Sequence, residues 1–283
     1  MKIGFIGAGK VGTAFGMYLE SCGHSISGYV SKEETSAVES AALTHSVAYP
    51  SLEALLKASD VVFITTPDTQ IESFARQNRD LFQQYLCAVG HMSGALTSDI
   101  LECLGCDRGI FSLHPLQAFA TVEKGRQDLV TCTFALEGND RGIAAVESLM
   151  ASCNNPVMRL KKEQKPLYHG AACVVSNYLM AITALAEEMI ESFAPDGEMS
   201  LSAYRNLMVG AIDNAIELGS ARALTGPIAR GDVKTIEKHL KSMIEPQMKK
   251  DYSTLGMMTV ALASKEKLTD PVLEKELRSL LLK

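Results

Sequence analysis

Apolar and polar positions follow two different rhythms along this chain. In the first half, short apolar runs at 2–6, 25–30, 61–64, 86–89 and 109–113 alternate with longer amphipathic segments such as 13–22, 51–57 and 71–84. Val61-Val62-Phe63-Ile64 contains no polar residue, the pattern of a parallel strand covered on both faces. Gly23 stands where the first amphipathic segment should stop. Alternating strands and helices predict a mostly parallel α/β sheet. After one last strand within 131–137, the rhythm turns helical. Helices are expected over 166–193 (bounded by Pro195-Asp196-Gly197), 201–218 (ending at Gly219), 232–244 with Asp232 as N-cap, and from Asp270-Pro271 onward. The break predicts an α/β domain over 1–155 and an all-α domain over 156–283.

The first strand runs directly into Gly7-Ala8-Gly9-Lys10-Val11-Gly12, which opens the first helix. A GxGxxG in this setting is a dinucleotide-binding turn. Gly7 permits the turn, Gly9 lets the backbone approach a pyrophosphate, and Gly12 lets helix and sheet pack closely. The helix start, with Lys10 and Val11, then offers free N–H groups to phosphate. This is the signature of a Rossmann domain with a doubly wound sheet. The second strand ends in Tyr29-Val30-Ser31-Lys32, where NAD-binding domains usually place a carboxylate. The Ser31 hydroxyl and Lys32 ammonium suit a 2′-phosphate and so point to NADP, although Glu33 and Glu34 follow at once. Thr66 and Pro67 end the strand after Asp60 and are expected to flank the cofactor.

Two later strand ends carry His91-Met92-Ser93-Gly94 and His114-Pro115-Leu116-Gln117. Histidine is the side chain best suited to proton transfer near neutral pH. On the long helical segment, His169, Cys173 and Asn177 recur every four residues and share one face of an ideal helix. Thr225-Gly226-Pro227-Ile228-Ala229-Arg230-Gly231-Asp232 combines a hydroxyl, flexible backbone and a guanidinium able to fork onto a carboxylate. Its Arg-Gly-Asp is read as a chance match to an adhesion motif.

Composition narrows the classes. A chain of 283 residues is long enough for two cores, and its net charge of −6 disfavours broad attraction to nucleic acid or an anionic membrane. The first residues do not form a secretory leader, and seven scattered cysteines read as reduced thiols in a cytoplasmic protein. One CxxC, Cys103 and Cys106, is too little for a zinc or thiol-redox site, and no metal is expected. Residues 166–186 lack Asp, Glu, Lys and Arg and are long enough to span a membrane. His169, Ser176, Asn177 and the small residues there favour a buried helix at a domain or subunit interface.

Gly7–Gly12, His91-Met92-Ser93-Gly94, the segment Ser112–Gln117, Tyr168–Ala172 with Ser176-Asn177, and Leu224–Asp232 together resemble the Rossmann-type NADP oxidoreductases whose C-terminal half is a domain of unknown function. More distantly the chain is similar to the superfamily with a helical domain like that of 6-phosphogluconate dehydrogenase, which includes pyrroline-5-carboxylate, hydroxyisobutyrate, prephenate and ketopantoate enzymes. The resemblance implies a homodimer whose long helix lines the active site. Ketopantoate reductases place Lys, Asn and Asn at four-residue steps on that helix. Here His169, Cys173 and Asn177 hold those steps, so His169 would replace the lysine. Ser93 and His114-Pro115 match the serine and His-Pro of prephenate dehydrogenases.

The expected function is an NADPH-dependent reductase of a small oxo acid or imine acid. His114 or His169 would donate the proton, Ser93 and Asn177 would orient the reacting group, and Arg230 would hold a substrate carboxylate. The rival reading is a non-catalytic NADP-binding sensor or interaction protein.

Overall fold

Eight strands form one sheet in the order β3-β2-β1-β4-β5-β6-β7-β8 in the computed structural model, which describes residues 1–105, 107–194, 197 and 199–282. The strands are β1 (Lys2–Ile6), β2 (Ser25–Val30), β3 (Val47–Ala48), β4 (Val61–Ile64), β5 (Ala88–His91), β6 (Ile110–Pro115), β7 (Phe134–Gly138) and β8 (Val157–Arg159). Every neighbouring pair is parallel except β6 and β7. A mostly parallel Rossmann sheet followed by a helical region is the fold expected from the sequence.

Side chains alternate across the pleat, so adjacent residues serve opposite faces. Phe5 and Phe63 join Phe15, Phe111 and Phe134 in a ring cluster on one face. Ile6, Val62, Ile64 and Val89 pack on the other. The helix Lys10–Ser21 lays Ala14, Phe15 and Leu19 on the first of these faces, and Gly23 closes it at φ +88°, with the His24 N–H reaching back to the Leu19 carbonyl at 3.0 Å.

The chain divides into two units, Met1–Ser176 and Asn177–Lys283. The boundary falls within a π turn, Val174–Tyr178, that interrupts one long helical stretch between Lys165–Cys173 and Leu179–Phe193. In the second unit, Ile228, Ile236, Leu240, Val260, Leu268 and Leu277 form the core beneath helices Val233–Ser242, Pro246–Ala263 and Pro271–Leu281. Asp232 and Asp270 cap two of these helices through the Thr235 and Val272 N–H groups, as expected.

Residues 166–186 were expected as a buried helix at a domain or subunit interface; within this chain the most apolar window of Lys162–Phe193 has no buried residue, and by length and composition the helix could cross a membrane. Pro195, Asp196 and Cys106, which figure in the expected helix boundary and the CxxC, lie outside the described residues.

Candidate active site

The glycine turn is built as its spacing implies. Gly7 has φ +99°, and a Cβ there would lie 3.0 Å from the Thr65 carbonyl carbon. At Gly12 a Cβ would lie 2.5 Å from Thr65 Oγ1, the hydroxyl that donates to the Gly7 carbonyl at 2.9 Å. Gly9 caps the helix, and a Cβ on it would meet open space. No side chain caps this helix and no acidic residue occupies its first turn, where Lys10 and Val11 sit. A cleft of about 580 Å³ opens above the turn, lined by Gly7, Gly9, Ser31, Lys32, Thr66 and Pro67 among others. Thr66 Oγ1 is buried there without a hydrogen-bond partner, a polar atom for which a ligand oxygen is the natural complement. Glu33 shares the lining and accepts from Ser36 Oγ at 3.4 Å. The expected cofactor residues are thus gathered at one place, and the open cradle and orphaned hydroxyl fit a dinucleotide.

The first unit continues from this cleft into a polar cluster. Asp68 follows Pro67 at the start of helix Asp68–Gln77, and its carboxylate accepts from Ser93 Oγ at 2.6 Å. Ser93 Oγ also accepts from the Ala95 and Leu96 N–H groups. The serine expected to orient a substrate is therefore committed to its own turn, and its hydroxyl proton to Asp68. Gly94 comes next, wedged against two histidines. A Cβ on it would lie 2.7 Å from the His169 ring and 2.8 Å from His114 Nε2. The two rings stand 6.3 Å apart.

His114 Nδ1 is 2.7 Å from the Tyr168 hydroxyl. Burial, reinforced by the nearby positive charge of Lys165, pulls the His114 pKa down to about 4. His114 is therefore neutral at neutral pH. Burial pushes the Tyr168 phenol up to about 12, so it stays protonated. His91 is different in kind. Its Nδ1 accepts from the Ser93 N–H and its Nε2 donates to the Thr97 carbonyl, both at 3.2 Å, and burial drops its pKa to about 3. It is a neutral, fully bonded support for the turn.

His169 and Cys173 hold their four-residue step, with Sγ 3.9 Å from the ring nitrogens. The step to Asn177 passes through the π turn, whose longer repeat breaks the single shared face assumed for an ideal helix. Asn177 and Arg230 belong to the second unit. Arg230 is exposed in the turn ahead of helix Val233–Ser242, between Gly226 (φ +96°) and Gly231 (φ +70°).

Lys165, Asp68 and Glu137 escaped the sequence reading, and Tyr168 entered it only within the segment Tyr168–Ala172, with no role. Lys165 was in reach, because it lies one four-residue step before His169 on the same stripe. Glu137 on β7 accepts from the Ser98 N–H (2.8 Å) and Oγ (2.6 Å), and stands opposite Ser112 of β6, a cross-strand pairing that no local motif announces.

The sheet and its glycine turn define a Rossmann-type fold whose cradle fits a dinucleotide. Residues 2–87 match the family described as NADP oxidoreductase, coenzyme F420-dependent, and residues 132–259 match a domain of unknown function, DUF2520. Together the two matches span most of the chain, the first over the glycine turn and the second over the long helix. No curated protein matches it significantly. Among solved structures it is similar to a Bacteroides fragilis protein designated an NADP oxidoreductase (20% identity, 98% of each chain, TM-score 0.70). It is also similar to a Thermotoga maritima protein (25% identity, 99% of this chain and 96% of that one, TM-score 0.64). A Plasmodium falciparum pyrroline carboxylate reductase with NADP bound shares the fold (14% identity, 99% of this chain and 98% of that one, TM-score 0.53).

Proposed function

We propose that the protein is a cytoplasmic NADPH-dependent reductase of a small oxo acid or cyclic imine acid. One observation carries this reading: the cofactor cradle leads through Asp68, Ser93 and Gly94 directly to the His114–His169 pair. When bound, NADPH supplies a hydride to an acceptor carbon. Gly7, Gly9 and Gly12, with Lys10 and Val11 in the first helical turn, would hold the pyrophosphate; Ser31 and Lys32 would receive the 2′-phosphate, and Thr66 and Pro67 would flank the cofactor. Once the acceptor C=O or C=N bond is reduced, its oxygen or nitrogen takes a proton from His169, which is only partly buried. Neutral His114, steadied by Tyr168, orients the acceptor by hydrogen bonding. The uncovered apolar helix is the face on which two copies meet as a homodimer.

The test is NADPH oxidation, followed by absorbance, across 2-oxo acids, ketopantoate and pyrroline carboxylates, with NADH alongside. Turnover of one member is expected, and His169→Ala should lower kcat by about 100-fold or more. NADPH binding without turnover of any member would instead favour a cofactor-binding sensor.

A further inference from the structure

Lys165 is 1% exposed, yet it carries an ammonium. Its Nζ donates to the Ser93 carbonyl at 3.0 Å and, at shorter range, to the Leu96 carbonyl and Ser112 Oγ. An ammonium has three donors, and here each meets an acceptor. All three acceptors are neutral. Burying a cation against neutral groups is costly, and an apolar side chain would fill the same space more cheaply. What the lysine gains is geometry, because its acceptors lie on two separate elements: the turn after β5 and the strand β6.

We propose that Lys165 is a positioning residue for the candidate active site, fastening the Ser93–Leu96 turn to β6 and so setting where Gly94 meets His114 and His169. The same helix carries Tyr168 and His169, so one side chain joins all three elements of the cluster. Its charge has a second effect. Lys165 is faced by Glu137 on β7, by Asp68 at the start of its helix, by His91 on β5 and by His114 on β6. Burial lowers its pKa to about 8 against the pull of the two carboxylates, so it remains mostly charged at neutral pH. That charge adds to burial in keeping His114 neutral, while His169 acts in the same direction and Asp68 opposes it. Lys165 thus helps fix the place of His114 and adds to burial in keeping it neutral.

The inference rests on the reductase reading only in taking the reacting centre to lie beside His114. Its test needs no substrate, so the two can fail separately. Histidine ring signals would be titrated by NMR in the wild type, Lys165→Gln and Lys165→Arg, with NADPH binding as the check on folding. The His114 signal is expected to titrate near 4 in the wild type, to stay low in Lys165→Arg, and to move up in Lys165→Gln while remaining below the ordinary histidine value, because burial persists. A His114 titration unmoved in folded Lys165→Gln overturns the proposal. Should the glutamine variant not fold, carbon-13-labelled lysine in the wild type serves instead. Lys165 should then titrate near 8, with the His114 ring signal shifting over the same interval. A Lys165 titration near 10.5, or a His114 signal indifferent to it, overturns the proposal equally.

Discussion

The two units place their apolar residues differently. In Met1–Ser176 the strands turn theirs inward on both faces, and Phe5, Phe63 and Phe111 have no exposed surface. In Asn177–Lys283 the last three helices share a core, but Leu179–Phe193 buries only Ile190 and Arg205–Leu218 buries nothing. Leu207 and Ile216 on the latter are 71% and 77% exposed. The first unit therefore buries its apolar residues on its own sheet, whereas two helices of the second leave most of theirs exposed within this chain.

The hardest blow to this contrast is a cavity in the first unit. Phe63 touches the Phe5, Phe15 and Phe111 rings at centroid distances of 5.8, 5.2 and 5.3 Å. Phe63→Ala should lower the stability of the Met1–Ser176 unit by about 3–5 kcal/mol, read by urea unfolding. A loss below about 1 kcal/mol would show that this face is not the continuous core described.

Acid comes next and also acts on the first unit. His91 and His114 titrate near 3 and 4 when folded but near 6.5 when unfolded. Between those values the unfolded chain binds more protons, so stability should fall as pH drops from about 6.5 towards 4 and be fully present above 6.5. The combined effect is on the order of a few kcal/mol. A unit whose unfolding free energy stays flat over this interval would contradict the buried neutral histidines.

A smaller change separates cofactor binding from stability. Because a Cβ at Gly9 meets nothing within 4 Å, Gly9→Ala should fold with an unaltered melting temperature. The same methyl would stand where a pyrophosphate approaches, so NADPH affinity should fall about tenfold, roughly 1.4 kcal/mol. Calorimetric titration showing undiminished binding would move the cofactor away from this turn.

How much of this was legible beforehand follows from whether a signal is local. Val61–Ile64 and the glycine turn announced themselves because the residues that cooperate there are neighbours in sequence. Asp232 and Asp270 were readable as caps for the same reason. The strands β3 and β8, two and three residues long, hold too few positions to show alternation. The helix Pro246–Ala263 was passed over although Pro246 opens it, because only Met248, Gly256, Val260 and Ala263 of its residues are buried and they do not form one clear stripe. The polar cluster was half visible. His114 and His169 were named from their positions on a strand end and a helix, but the bonds that decide their roles come from Lys165, Tyr168 and Asp68. Those residues are brought in by packing, over separations such as the 72 residues between Lys165 and Ser93. Ser93 shows the converse: a correct position and a plausible residue type, with its hydroxyl already engaged by Asp68 and two backbone N–H groups.

The smallest expected effect bears most directly on the second unit. Ile216→Lys replaces a side chain that touches little within its own chain, and such exposed substitutions usually change stability by no more than about 0.5 kcal/mol. Measured by urea unfolding at low protein concentration, where any assembly has dissociated, the variant should match the wild type within that margin. At high concentration the expectation reverses, because a lysine on a face covered by a second copy buries an unpaired charge. Light scattering of a concentrated sample should then show a dimer in the wild type and a monomer in the variant. Equal stability together with an intact dimer would remove this face of Arg205–Leu218 from the interface and leave the apolar surface of Leu179–Phe193 as the place where the copies meet. A large loss of stability in the dilute monomer would mean instead that Ile216 is covered within its own chain, and the contrast between the two units would have to be redrawn.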